Sequence, residues 1–434
     1  MSDHNNKNMA AVKIGEILNN RFNGKYYFVL SLALIFTLIG SFAAYEVIAG
    51  GIALFGLNVS VTWGLSIASF VFWIGIGHAG TLISAILYLL NQRWRNTIHR
   101  IAEAMTIIAV ILAALFLLIH TGRPWFAAYW LFPYPSQMGM WVNFISPLIW
   151  DLFAVLSYFL LSVLFWYFGM IPDMAYYKDK VRSKFKSWFF DLLSLGFYGN
   201  DRQWYYYKST YLIMAGIATA MVISVHTIVS FDFAVTIVPG WHSTIFPVYF
   251  VVGAIFSGLA MVMKLIIIMR YSFDLHEYIS SIQFNNLNKI FLGMSVFIGY
   301  SYIMEFLTVF ITGNAGEEQV YMDRVFGPYS LIFWFTVFVN VLVPQLYWLR
   351  KYRVNIALTF IISLLVNIGM WFERFVIVVQ SLYKDTLPLA GGMYFPSWIE
   401  ISLLMGSFGL FTLLFLLFIR GFPVMSLYEI RSGK

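Results

Sequence analysis

The sequence predicts an all-α integral membrane protein with about ten transmembrane helices. Apolar residues make up 61% of the 434 residues and charged residues only 11%, whereas soluble domains run near ~45–50% apolar and ~25% charged. Aromatic residues reach 20%, an excess that suits anchoring at the two membrane interfaces. A water-soluble globular protein is therefore excluded.

Ten stretches are apolar and long enough to span a bilayer, which takes about 20 residues per helix. They cover residues 26–49, 62–90, 101–121, 147–171, 210–234, 245–269, 290–312, 328–349, 354–382 and 397–419. A polar tail (1–25) precedes the polytopic membrane domain (26–419), and a C-terminal tail (420–434) follows it. Because ten is an even number, both termini lie on one side.

The distribution of positive charge predicts which side that is. Of the 27 Lys and Arg residues, 22 fall in the tails and connections on the side of the termini, and three in the connections on the other side. The positive-inside rule then places both termini in the cytoplasm. This scattered bias accounts for the net charge of +7 without nucleic acid as a partner.

The longest cytoplasmic connection, 172–209, contains an amphipathic pattern. Its apolar residues follow helical spacing beside several lysines, and they are Phe185, Trp188, Phe189, Leu192 and Leu193. The pattern predicts a helix that rests on the membrane surface. A docking site for a partner protein is the less favoured alternative.

His120, Asp151 and Asp232 are the main group of polar residues in the outer half. His120 ends the third span, Asp151 opens the fourth and Asp232 closes the fifth, so we expect them at one depth. Ionisable groups inside a bilayer cost about 2.5–3.5 kcal/mol each and usually serve a function. An imidazole can accept a proton near pH 7 and a carboxylate can pass it on, which fits a two-proton ligand such as a quinol. The alternative is that each is a helix cap or a solvated helix end.

Other intramembrane polar residues admit two interpretations each. His78 is either a site residue or a core histidine bonded within the helix bundle. Glu373 and Arg374 are adjacent and point about 100° apart along a helix, so we expect Arg374 to pair with a different acid. Of the remaining residues, His226 and Glu305 are interpreted either as proton relays or as residues that support the site from behind. Glu400 is interpreted as a solvated edge residue, and Trp241 as an interface anchor rather than a site residue.

The sequence argues against a metal centre in this chain. Cysteine is absent, which excludes thiolate zinc sites and Cys-ligated iron–sulfur clusters. No span carries two histidines for a haem-binding bundle, and no Glu-x-x-His or His-Glu-x-x-His motif occurs. Electrons from a redox ligand must therefore pass to a partner protein.

Seven stretches of the sequence resemble the NrfD/PsrC family of quinone-interacting membrane subunits. They are IGHAGTLISA (76–85), RIAEAMTI (100–107), GRPW (122–125), SPLIWDLFA (146–154), VPGWHSTIFP (238–247), GAIFSG (253–258) and VNIGMWFERFVI (366–377). Within that family the chain is most similar to the quinol-binding subunit of alternative complex III.

The resemblance implies two four-helix bundles plus flanking helices, and a menaquinol or ubiquinol site near the outer face. His120 and Asp151 fall on the family's quinone-site residues, with Asp232, Arg374 and His78 in the same pocket. The implied partners are an outer iron–sulfur subunit, a multihaem cytochrome c subunit and a second membrane subunit of the same family. Quinol oxidation would release protons outside, with proton translocation as a further hypothesis.

Two other functions stay open. The same fold also anchors molybdopterin reductases of the polysulfide reductase type, where quinol electrons go to a different partner. A secondary transporter would use the acids as ion sites, but most prolines lie at helix ends rather than at mid-membrane interruptions. Glu103 and Lys264, in the inner half, either begin a proton route or form ion pairs near the cytoplasmic surface.

Overall fold

The computed structural model describes residues 12–19, 23–125, 147–384 and 392–428. In this part of the chain, ten helices are long and apolar enough to span a membrane, which confirms the predicted all-α class. We number them α1 to α10: Gly24–Gly50, Leu65–Leu89, His99–Ile119, Pro147–Tyr177, Asp201–Ala234, Phe246–Ser272, Ser281–Thr312, Ser330–Trp348, Ile356–Gln380 and Trp398–Gly421. Two shorter helices, Lys184–Leu193 and Ala315–Phe326, lie in connections.

The helices pack as two groups of four with a flanking pair. Helices α2 to α5 contact one another, as do α6 to α9. The two groups meet where α6 packs on α2 and α5, and where α9 packs on α2. Because α2 and α6 occupy this junction, they are buried along most of their length. Polar residues on these two helices are therefore far from lipid.

The flanking pair consists of α1 and α10, which are in unusually close contact. A β-carbon placed on Gly40 would lie 2.6 Å from the Cα atom of Gly406, so both positions need glycine for the backbones to approach. Gly409 meets Phe36 in the same way. Without a hydrophobic driving force between helices in lipid, such small-residue contacts supply the packing that joins them.

Three membrane helices contain a π-helical turn, which no sequence pattern predicts. The turns are Leu82–Ile86 in α2, Phe338–Leu342 in α8 and Val376–Gln380 in α9. Each adjoins buried polar residues: His78 precedes the first, Asn340 lies in the second, and Arg374 precedes the third. A π turn rotates the side chains on either side of it relative to each other, and such turns are frequent at functional sites.

The face on which α1 begins and α10 ends, here called the basic face, holds an additional docked segment. Residues 12–19 of the predicted tail form a helix whose Ile14, Ile17 and Leu18 are buried. The predicted amphipathic segment is the helix Lys184–Leu193, and its Lys186 donates to Leu18 O at 3.2 Å and to Arg420 O at 2.9 Å. Burial, together with the nearby Arg420 charge, lowers the pKa of Lys186 to about 8.

A buried ionic cluster closes the interior of the basic face. Arg100 lies 3.0 Å from Glu103 and 3.2 Å from Asp173, and all three side chains are nearly inaccessible. Asp173 also accepts the Leu427 amide, at 3.0 Å. Glu103 therefore has an ion pair, as one sequence interpretation expected, whereas Lys264 has no hydrogen bond or ion pair among the described residues.

Candidate functional site

A cavity of about 230 Å³ lies at the face opposite the basic face, which is the predicted outer face. It is enclosed by the start of α2, the end of α3, the connection after α1 and the start of α10. The lining residues are Ile52, Phe55, Leu57, Thr62, Trp63, Gly64, Ser66, Ile67, His120, Thr121 and Glu400. An apolar cavity of about 150 Å³ already holds a benzene ring, so this one has room for a quinone ring.

His120 reaches this cavity from the residue that follows α3. Its Nδ1 atom lies 2.5 Å from the Leu117 carbonyl oxygen. Because a carbonyl oxygen can only accept, Nδ1 carries the ring proton and Nε2 keeps its lone pair. The imidazole is thus prepared to accept a proton from a hydroxyl group in the cavity.

Asp151 and Asp232 form a buried pair. Asp151 stands in the second turn of α4 and is 0% exposed, and Asp232 near the end of α5 is 4% exposed, so neither is a solvated helix end. The two carboxyl groups lie within hydrogen-bonding reach of each other. Carboxyl groups in contact can hold one proton between them and pass it on.

The structure brings the two aspartates together but does not bond either one to His120 among the described residues. Trp63 provides the link between the two parts of the site. It lines the cavity and packs against Phe233, the neighbour of Asp232, with ring centroids 5.9 Å apart. The site therefore has two separate parts, a cavity lined by His120 and a buried aspartate pair that does not line it, rather than a triad in direct contact.

A chain of aromatic and cationic groups runs deeper between the two helix bundles. The His78 and His226 rings lie 4.5 Å apart, and His226 in turn packs against Phe250 at 5.9 Å. The Arg374 guanidinium stacks over the same Phe250 ring at 4.8 Å. His78 is held by Ile74 O at 2.6 Å, while its Nε2 atom and both nitrogens of His226 have no hydrogen-bond partner among the described residues.

Arg374 enters this junction because α6 has a glycine opposite it. A β-carbon on Gly253 would lie 2.8 Å from Arg374 Nη2. The expectation that Arg374 avoids its neighbour is wrong, since Arg374 Nη1 lies 2.8 Å from Glu373 Oε1. Both side chains are long and buried in the same interior, so they bend toward each other despite their divergent Cα–Cβ directions. Their contact lacks hydrogen-bond geometry.

Glu373 is held by two further donors. Tyr302 donates a hydrogen bond to Glu373 Oε2, and Asn340 Nδ2 approaches the same oxygen at 3.3 Å. Tyr302 stands on α7 and Asn340 in the π turn of α8. The carboxylate thus joins α7, α8 and α9 in the interior of the second bundle.

Sequence reasoning missed a second buried ion pair. Arg324 in the helix Ala315–Phe326 is only 2% exposed and pairs with Glu305 at 3.2 Å. It also donates to Gly240 O at 3.0 Å. A cavity of about 20 Å³, large enough for one water molecule, lies between Glu305 and Glu373. The signal in the sequence is weak, because Arg324 stands in a polar connection outside the predicted spans.

Two other sequence interpretations are wrong. Glu400 is 1% exposed rather than solvated, because it accepts the Gly56 amide at 2.7 Å, the Ser397 amide at 3.0 Å and the Tyr394 hydroxyl. Trp241 is not an interface anchor: it is 4% exposed and donates to Ile377 O at 2.6 Å. Both residues tie a connecting segment to the ends of the bundles.

Comparison with known families decides the classification. Residues 53–384 match the family model described as "Polysulphide reductase, NrfD". The chain belongs to the NrfD family. The match starts before α2 and ends after α9, so it covers both four-helix groups and most of the site described above.

Two curated relatives of this NrfD-family chain extend over nearly its whole length. A selenate reductase subunit of Mesobacillus selenatarsenatis is 24% identical over 426 residues, covering 92% of this chain and 94% of that protein. A protein of Halobacterium salinarum, inferred to be a membrane subunit of dimethyl sulfoxide reductase, is 23% identical over 399 residues, covering 85% of each.

Proposed function

We propose that this chain is the quinol-binding membrane subunit of a molybdopterin reductase complex. The observation that carries the proposal is the 230 Å³ cavity at the predicted outer face, in which His120 presents an unprotonated Nε2 atom. Trp63, which lines the cavity, packs on Phe233, the neighbour of Asp232 in the buried Asp151–Asp232 pair. The arrangement suits the oxidation of a hydroquinone, which releases two electrons and two protons.

Each part of the site has a distinct task in this proposal. A quinol hydroxyl donates its proton to His120, and Asp151 with Asp232 receives protons and passes them to the outer side. Arg374, beside His226 and Phe250, sets the charge of the interior through which protons are relayed. The two electrons leave one at a time to an iron–sulfur partner on the outer face, because the chain itself has no cysteine to hold a cluster. The substrate is menaquinol or ubiquinol.

The relatives favour a reductase over alternative complex III. Both are named as subunits of reductases, one of selenate and one of dimethyl sulfoxide, and the matched family model is named for polysulphide reductase. We therefore infer that quinol electrons pass through the iron–sulfur partner to a molybdopterin subunit. A multihaem cytochrome c and a second membrane subunit of this family belong to the alternative complex III hypothesis.

Purification through a tag on this chain distinguishes the two complexes. Extraction in mild detergent, followed by metal analysis and a visible spectrum before and after addition of a menaquinol analogue, gives the evidence. We expect molybdenum and iron without c-type haem bands. Reduced c-type haem bands without molybdenum would show that alternative complex III is the correct assignment.

The orientation that the proposal needs can be measured directly, because the chain has no native cysteine. Single cysteines at Lys351, on the basic face, and at Ile237, which is 97% exposed on the opposite face, report the two sides. We expect a membrane-impermeant maleimide to label Ile237→Cys but not Lys351→Cys in intact cells. The reverse labelling would place the cavity on the cytoplasmic side and exclude proton release outside.

A further inference from the structure

An open groove of about 570 Å³ lies on the basic face, on the side opposite the cavity that contains His120. It is bounded by the residues that follow α4 and by the helix Lys184–Leu193. The lining residues are Lys178, Asp179, Val181, Arg182, Lys184, Ser187, Trp188 and Asp191. Pockets that bind small molecules commonly have volumes of about 300–1,000 Å³, so the groove is large enough for a ligand of many atoms.

The helix Lys184–Leu193, here called the surface helix, separates apolar from polar side chains on its outward side. Its exposed apolar side chains follow helical spacing, and they are Phe185, Trp188 and Leu192. Its polar side chains that line the groove lie roughly 90° away around the helix axis, and they are Lys184, Ser187 and Asp191. Trp188 is 59% exposed and also lines the groove. The groove therefore opens at the boundary between the apolar and the polar side.

The charges that line the groove do not cancel. Lys178 Nζ lies 2.7 Å from Asp191 Oδ1, so these two residues neutralise each other. The side chains of Arg182, Lys184 and Asp179 form no hydrogen bond or ion pair among the described residues. Two positive charges and one negative charge are left, which gives the groove a net charge of +1. A ligand with one negative charge complements it.

The surroundings of the groove are those of a membrane interface. The exposed apolar surface continues beyond the surface helix in Leu195 and Tyr198, which are 68% and 83% exposed. Helices with an apolar side and a lysine-bearing polar side lie at the boundary between headgroups and acyl chains, and tryptophan is enriched at the same level. The basic face is the predicted cytoplasmic face, where the bilayer leaflet carries anionic lipids.

We propose that the groove binds the headgroup of an anionic phospholipid with one negative charge, such as phosphatidylglycerol. The guanidinium group of Arg182 pairs with two phosphate oxygens, and Lys184 adds a second positive charge. Trp188 lies at the level of the glycerol backbone, where the acyl chains begin and pass along the apolar side of the surface helix. This site is independent of the quinol site, and it does not depend on the proposed function.

Arg202 and Lys208 offer a matched control. They are also one arginine and one lysine, they are exposed on the first turns of α5 at the same face, and neither lines the groove. The double variants Arg182→Gln/Lys184→Gln and Arg202→Gln/Lys208→Gln therefore remove the same charge from the same face. A difference between them reports the groove rather than the general attraction between a basic surface and an anionic lipid.

The test measures the Kd of dioleoyl phosphatidylglycerol on the complex purified in detergent, by native mass spectrometry, with dioleoyl phosphatidylcholine as the uncharged comparison. We expect Arg182→Gln/Lys184→Gln to weaken phosphatidylglycerol binding about 25-fold, which is about fivefold for each cation. The control pair should stay within about twofold of the unchanged chain, and phosphatidylcholine binding should be the same in all complexes. Asp179→Asn should strengthen phosphatidylglycerol binding about fivefold, because it removes the unpaired negative charge.

Four results would overturn the inference. Equal weakening in both double variants would show a general charge effect without a site in the groove. Weaker binding in Asp179→Asn would show that the variants disturb the shape of the groove rather than its charge. Displacement of the lipid by excess inorganic phosphate would show that the groove recognises a free anion. An unchanged Kd in Arg182→Gln/Lys184→Gln, together with the loss of a subunit from that complex, would assign the groove to a partner protein.

Discussion

Asp151→Asn should abolish quinol oxidation without disturbing assembly. The carboxyl group of Asp151 is 0% exposed and contacts Asp232, and neither of its oxygens has another partner in the described protein. The amide of asparagine has nearly the same shape, and its NH₂ group can donate to Asp232. No hydrogen bond to the rest of the fold is lost, so we expect the free energy of unfolding to change by less than about 1 kcal/mol.

The effect on turnover should be much larger. An asparagine cannot take up a proton, and a positioned acid–base group contributes about 10²–10⁴-fold to a rate, or about 2.7–5.4 kcal/mol of activation free energy. The assay is oxidation of a menaquinol analogue by the purified complex, with assembly checked by gel and thermal midpoint. An assembled Asp151→Asn complex that retains full turnover would refute the role of this carboxylate.

Three further perturbations follow from the geometry. Gly253→Ala should fold normally but lower turnover about tenfold or more. Its β-carbon would lie 2.8 Å from Arg374 Nη2 and would displace the guanidinium group. An unchanged rate of quinol oxidation would mean that the position of the guanidinium group is unimportant. Burial lowers the pKa of Lys186 from 10.5 to about 8. Between pH 8 and pH 10.5 the unfolded chain therefore binds more protons than the folded chain, so the free energy of unfolding rises with pH across that window. An amine-reactive label read by mass spectrometry should titrate Lys186 near pH 8, whereas an inflection near 10.5 would contradict its burial. Arg324→Leu should destabilise the fold by about 3–5 kcal/mol, because it leaves the Glu305 carboxylate buried without its ion-pair partner. The double variant Arg324→Leu/Glu305→Leu should recover most of the loss in thermal midpoint. A double variant as unstable as the single one would show that the unpaired carboxylate is not the cause.

The membrane helices could be predicted from the sequence because their signal is local. A run of about 20 apolar residues has few alternatives to a spanning helix, and the ten predicted stretches all contain observed helices. The bounds differ where polar residues extend a helix beyond the bilayer. Helix α5, for example, begins at Asp201 rather than at residue 210, because Asn200 caps its first turn by accepting the Gln203 amide.

The partners of buried polar residues could not be predicted in the same way. Depth places Asp151 beside Asp232, since both lie near helix ends on one side. Depth does not specify the direction in which a side chain points around the helix axis. A π turn changes that direction for the residues beyond it, by an amount that apolar periodicity does not reveal. The Arg374–Glu373 contact and the burial of Arg324 depend on such details. The expectations for Trp241 and Glu400 are wrong because connecting segments fold back against the bundle ends, where Trp241 is inserted and Glu400 is covered by Gly56 and Tyr394.

The pairing of α1 with α10 affects how the protein is made. Gly40 contacts Gly406, so α1 packs on a helix that is synthesised only after α2 to α9. Until α10 has been synthesised, the side of α1 that carries Gly40 faces lipid without its partner, and the nascent protein stays incompletely packed there. A truncated chain that lacks α10 would expose this side permanently and would lack the small-residue packing that joins the two helices.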